Sequence, residues 1–155
     1  MGRSVYRILL RLVLHPWFRL TRGLTLGVRV LVRNPDGHIL LVRHTYTPGW
    51  LLPGGGVERG EISEEAAARE VLEETGVHVA RPLKLINVYN NDAIFYGDHV
   101  LLYLGQTTDT PSKDGNMEIA EARFFDPTDL PEGITAGTKR RIGELLNAAQ
   151  AASHW

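Results

Sequence analysis

The stretch from Gly55 to Val77, GGVERGEISEEAAAREVLEETGV, constrains this chain more than any other. A glycine-rich turn leads into a run of good helix formers, and Gly76 is the expected C-terminal stop. Within the run, Glu70, Glu73 and Glu74 stand three and four residues apart, so they share one helix face. Like charges at that spacing repel by ~0.2–0.5 kcal/mol per pair. Taken alone, three glutamates are most simply the decoration of a solvated helix. They are also what a hard divalent cation requires. Mg²⁺ takes oxygen ligands, keeps several waters and bridges protein carboxylates to substrate phosphates.

The 155 residues suit one domain with a real core. The absence of cysteine excludes disulfides, thiolate zinc sites and a cysteine nucleophile, and is compatible with the cytoplasm. A formal net charge of -1 gives no global attraction to nucleic acid. The charge is unevenly spread, because no acid precedes Asp36 whereas Arg3, Arg7, Arg11, Arg19, Arg22, Arg29 and Arg33 all do.

Two parts follow from this: residues 1–22, a basic amphipathic helix, and residues 23–155, the folded domain. In the first, Arg3, Arg7, Arg11, His15 and Arg19 recur every four residues among aliphatic and aromatic neighbours. Pro16 kinks or ends that helix. Packing on the domain or in a homodimer interface competes with peripheral contact of residues 1–20 with an anionic membrane. A targeting role is disfavoured, since Arg7 and Arg11 interrupt any signal-peptide core. The expected location is cytoplasmic, with a membrane-peripheral protein as the alternative.

In the second part, Leu24–Val32 and Gly37–Arg43 read as a hairpin about the Asn34-Pro35-Asp36-Gly37 turn. Ser63 is the expected N-cap of the central helix. Strands are expected at Val77–Val79, Lys84–Tyr89, His99–Gln106 and Ala122–Phe125, and a second helix from Thr135 to about Ala152. Tyr89, Asn90, Asn91 and Phe95 read as a polar-aromatic loop, by default a plain one, with contact to a nucleoside as the alternative.

The segment fills every fixed position of G-x5-E-x7-R-E-U-x-E-E-x-G-U, where U is aliphatic, with Gly55, Glu61, Arg69, Glu70, Val71, Glu73, Glu74, Gly76 and Val77. It thereby resembles the Nudix hydrolase superfamily over about residues 24–150. The resemblance implies an α/β fold, the Nudix-type α-β-α sandwich with a mixed sheet. It also implies Mg²⁺ or Mn²⁺ as cofactor, with Glu70, Glu73, Glu74 and Gly54 as metal ligands. Arg69 and Glu61, with Gly55 and Gly76, take supporting roles. The general base implied is Glu70 or a later acid, Glu118, with Glu121 as its neighbour and competitor.

Substrate contacts are sought in Arg43 and His44, at the end of a strand facing the box, and in Trp50, which is equally suited to the core. The activity implied is hydrolysis of the pyrophosphate linkage of a nucleoside diphosphate joined to another moiety, an NDP-sugar or ADP-ribose-like compound. The alternatives are a housecleaning pyrophosphatase for oxidised nucleoside triphosphates and a non-catalytic ligand sensor. Against the sensor, no acid of the box is lost. The partner expected is a nucleotide-derived small molecule, not nucleic acid. Serine-hydrolase, zinc-protease and P-loop motifs are absent.

Overall fold

A computed structural model describes residues 23–112, 116–147 and 151–155. The N-terminal helix expected over 1–22 lies outside the described residues. Six strands form one mixed sheet: β1 (Thr25–Arg33), β2 (Ile39–His44), β3 (Trp50–Leu51), β4 (Lys84–Asn90), β5 (Asp98–Gln106) and β6 (Ile119–Phe125). Among the described residues two helices accompany them, α1 (Ser63–Thr75) and α2 (Ala136–Leu146). The sheet runs β3-β2-β1-β5-β4, and β6 pairs with β2.

β1 is the spine. It pairs with β5 in parallel along its whole length, from Thr25↔Asp98 to Arg33↔Gln106. The expected hairpin forms only at its root, where Arg33 faces Ile39 around the Asn34–Gly37 turn. Beyond that pair β1 and β2 diverge, and β2 continues antiparallel to β6 and β3. The gap between them is filled by the glycine-rich segment. Val30 N–H donates to the Pro53 carbonyl (2.9 Å), Val28 N–H to Gly55 (2.8 Å), and Val57 N–H to Leu26 (2.9 Å).

Strand alternation sends side chains to two cores. Val28, Val30, Val32 and Leu40 pack with Ala66, Ala67 and Val71 of α1. Leu31, Ile39, Leu41, Trp50 and Phe125 pack on the other face with Ile142 of α2. This is the three-layer α-β-α arrangement.

Four local expectations are corrected. The N-cap of α1 is Ile62, whose carbonyl accepts from Ala66 N–H, with no side-chain cap. Ser63 lies inside the helix, and its hydroxyl instead meets the Tyr103 hydroxyl at 2.7 Å. Residues Val77–Val79 form no strand. Val77 is buried in the first core, and His78 N–H is taken by the Asp109 carboxylate rather than by a neighbouring strand. α2 ends at Leu146, and residues 151–155 turn back so that His154 pairs with Asn90 at the edge of β4. Tyr89 and Asn90 belong to β4 rather than to a loop, and Tyr89 is fully buried.

Candidate active site

The turn before α1 exists in this form only because of two glycines. Gly54 has φ of 146°, and a Cβ there would lie 2.1 Å from the Val28 carbonyl oxygen. A Cβ on Gly55 would lie 2.6 Å from the Glu70 carboxylate, so that carboxylate rests directly on bare backbone. No other residue allows so close an approach.

Around this turn α1 carries two charge environments. One surrounds Arg69, whose guanidinium grips Glu61 with two bonds, Nε at 2.8 Å and Nη2 at 3.1 Å. It also donates to Glu70 at 2.8 Å, to Glu73 at 3.3 Å and to the Gly56 carbonyl at 3.2 Å. Glu61 additionally accepts from Glu58 N–H. The bonds from Arg69 hold the Glu61 carboxyl below its ordinary range, and Glu61 in turn raises the Arg69 guanidinium. Such planar, multiply bonded pairs are geometrically specific.

The other environment surrounds Glu74, which is only 7% exposed. Its carboxylate accepts from Gly54 N–H at 3.0 Å and lies 3.4 Å from His44 Nε2. Burial pushes its pKa up to about 7, aided by the charges of Glu70 and Glu118 and opposed by Gly54 N–H and Arg29. Burial, with Arg29, pulls His44 down. Both shifts disfavour the charged forms, so burial works against an ion pair between His44 and Glu74. His44 Nδ1 is buried without a hydrogen-bond partner among the described residues.

Arg29 was not singled out by the sequence motif, yet it stands behind this pocket. Its Nη1 donates to the carbonyls of Leu52 (2.9 Å) and Gly54 (2.8 Å). Burial lowers its pKa, while Glu74 and Glu70 oppose the shift. It pins the turn and supplies positive charge beneath the carboxylates. A cationic side chain between Val28 and Val30, in the otherwise apolar run from Leu26 to Val32, was the available signal.

The remaining candidates separate. Glu118 is exposed at the start of β6, and its charge acts on both Glu74 and His44. Its carbonyl accepts from Thr45 N–H, which ties its loop to the end of β2. Glu121 is occupied by Arg43 (3.1 Å) and Arg123 (3.5 Å). Arg43 and His44 are adjacent on β2, at a shift in its pairing with β6, and take different partners. His44 reaches Glu74, whereas Arg43 pairs with Glu121 and lies over the Trp50 ring. Trp50 is buried, edge-on to Phe125 in the second core. The structure therefore does not bring Arg43 and Trp50 into the carboxylate cluster. Glu73 points outward, its side chain 58% exposed. Gly76 closes α1 in the left-handed conformation.

The donor set fits a hard divalent cation. Glu70 and Glu74 present carboxylate oxygens beside one glycine turn, and Glu118 adds charge nearby. Ionised Glu74 is disfavoured by burial and by negative neighbours, a balance that a cation reverses. Among the described residues no three acidic or imidazole side chains close on a single point. Incomplete protein coordination is what Mg²⁺ accepts when water and phosphate supply the rest.

The family model for the NUDIX domain matches residues 23–146, most of the chain. The chain belongs to the Nudix hydrolases. Nudix hydrolases generally need divalent metal ions, act on nucleotide-derived small molecules, and cleave phosphoanhydrides; this member is an enzyme of that class. A Bacillus subtilis (strain 168) protein, provisionally named an 8-oxo-dGTP diphosphatase, is 39% identical over 126 residues, 81% of this chain and 83% of its own length. The ADP-ribose pyrophosphatase of Methanocaldococcus jannaschii is 35% identical over 102 residues, and this chain spans 59% of its length. Among solved structures, a MutT NUDIX hydrolase from Burkholderia pseudomallei superposes with a TM-score of 0.65 at 27% identity, covering 79% of this chain and 98% of that one.

Proposed function

We propose that this Nudix hydrolase uses Mg²⁺ or Mn²⁺ to cleave the phosphoanhydride of a nucleoside diphosphate joined to a further group. The observation that carries this reading is the buried Glu74 carboxylate, held by Gly54 N–H next to Glu70 and opposite Glu118. Glu70, Glu74 and the Gly54 carbonyl would hold the cation, with Glu73 at the exposed side. When bound, the cation neutralises phosphate charge and lowers the pKa of water.

The chain's own groups do the rest. Arg69 and Gly55 fix Glu70 from opposite sides. Arg29 fixes the turn that presents the Gly54 carbonyl. Glu118 accepts the proton of the attacking water, because among the described residues its carboxylate enters no ion pair, whereas Glu70 is bonded to Arg69. His44, kept neutral, positions Glu74 without competing for its charge.

Two identities of the further group are supported. A phosphate, as in an oxidised purine triphosphate, is favoured by the 39% identity to the provisionally named 8-oxo-dGTP diphosphatase over most of both chains. A sugar, as in ADP-ribose, is supported by the shorter match to the archaeal pyrophosphatase. Product analysis separates them. A triphosphate yields a monophosphate and pyrophosphate, whereas ADP-ribose or an NDP-sugar yields two phosphorylated organic products. The purified protein should be assayed on normal and oxidised triphosphates, ADP-ribose, NDP-sugars and dinucleoside polyphosphates with each metal, beside Glu74→Gln. Turnover abolished by the substitution sustains the reading. Failure to turn over any compound with either metal sinks it.

A further inference from the structure

At the end of β1 farther from the glycine turn, the domain holds a second cleft. Its volume is about 660 Å³, within the range of small-molecule sites. It opens between three segments, 33–35 at the end of β1, 78–80 after α1 and 106–109 at the end of β5. Arg33, which lines it, stands about 13 Å along the strand from Arg29, the residue beneath the carboxylates. No residue from 53 to 77 is among those that line it.

The walls of this cleft are bonded to one another. Thr107 N–H donates to the Arg33 carbonyl at 3.0 Å, and Ala80 N–H to the Gln106 carbonyl at 2.8 Å. The buried Thr107 hydroxyl donates to the His78 carbonyl at 2.7 Å and accepts from Asp109 N–H at 3.0 Å. The Asp109 carboxylate in turn accepts from His78 N–H at 2.9 Å. The cleft is thus formed in advance, and a ligand entering it has little backbone to order.

Arg33 brings to it a charge that nothing balances. Its guanidinium makes no hydrogen bond or ion pair among the described residues, and its Nε is buried without a partner. Buried donors are almost always met, so an orphan beside a cleft calls for an acceptor from outside the chain. Asp109, the only acid lining the cleft, is engaged by His78 N–H and stands 3.3 Å from the His78 Nδ1. Asn34 gives its side-chain oxygen to His38 N–H at 2.9 Å, which leaves its amide NH2 as a further donor. We propose that this cleft binds a small organic anion, whose carboxylate or phosphate group is held by Arg33. The guanidinium fork matches two oxygens of either group. A cation would be repelled by Arg33, and an apolar ligand would leave its donors unmet.

The test is an amide NMR titration of the full chain in chelator, without divalent metal, so that it does not depend on the proposed reaction. Inorganic phosphate, ribose 5-phosphate and citrate are the probes, and Arg33→Gln is titrated beside the parent with melting temperatures to verify folding. The expected result is saturable shifts at the amides of Arg33, His78, Thr107 and Asp109 with at least one probe, and affinity weaker by about tenfold or more in Arg33→Gln. Whichever probe saturates identifies the anionic group. Arg33→Lys keeps the charge but loses the fork, so it should fall between the two, and it supplies the comparison if the glutamine variant does not fold. The proposal is overturned if no probe shifts those amides, if shifts are confined to residues 53–77, or if a folded Arg33 variant binds as the parent does.

Discussion

Helix α1 carries its acids in two opposite conditions. Around Arg69, three carboxylates and a carbonyl converge on one guanidinium, and every charge has a partner. One turn on, Glu74 is buried beside the His44 imidazole with a single backbone hydrogen bond, and its proton affinity rises accordingly. The first arrangement is satisfied and holds a shape. The second is unsatisfied, which suits the cation proposed for it. Perturbed carboxylates mark functional sites because the imbalance that shifts them is the one chemistry exploits. The same helix thus grades its carboxylates by degree of compensation rather than by residue type, with Glu70, bonded to Arg69 and seated beside Gly55, standing between the two conditions.

The sharpest way to break this contrast is Glu74→Gln. Metal polarisation contributes several kcal/mol to such reactions, so hydrolysis should fall by about a thousandfold while the fold is retained. Steady-state assays at saturating metal, with circular dichroism as control, measure it. A variant within tenfold of the parent would remove Glu74 from the reactive half.

Next comes stability of the metal-free protein against pH. Folding raises the Glu74 pKa from 4.5 to about 7, so the native state binds this proton more tightly than the unfolded chain. The resulting stabilisation is complete below 4.5 and is lost as pH rises through 7, an effect of up to about 3 kcal/mol. Thermal melts in chelator at pH 5 and 8 should show that decline in the parent but not in Glu74→Gln. Equal pH dependence in both proteins would contradict the assigned burial cost.

Arg69→Ala should act more mildly and through metal affinity. Partners that orient ligands typically contribute ten- to a hundredfold in affinity, so the metal concentration for half-maximal activity should rise by about that factor while the saturated rate changes little. If the saturated rate collapsed as in Glu74→Gln, the two environments would not be distinct in function. The smallest effect is expected from Arg43→Ala, on the far face of β2. Exposed pairs contribute ~0–1 kcal/mol, so activity should stay within about twofold.

The central helix and its glutamates were legible because helical spacing and a glycine stop are local properties. What was lost depended on partners distant in sequence. Val77 to Val79 has strand-like residues, yet no strand runs beside it, and Val77 serves as a core plug. Ser63 has the chemistry of a cap, but Tyr103 claims its hydroxyl from across the sheet. Arg43 and His44 look equivalent in sequence, and only their distant partners, Glu121 and Glu74, tell them apart. Arg29 acts on Gly54 from another element, a relation that no spacing within the box encodes.

The glycine segment that replaces β2 beside β1 ties assembly to the proposed metal site. Residues 53–57 are stitched to β1 as a counterfeit strand, and Glu70 and Glu74 take their places from that stitching. A slip of one residue would move the Gly54 carbonyl and the seat of Glu70 together. An insertion between Pro53 and Val57 therefore has no catalytically silent form, since the misaligned chain would be misfolded and inactive for the same reason.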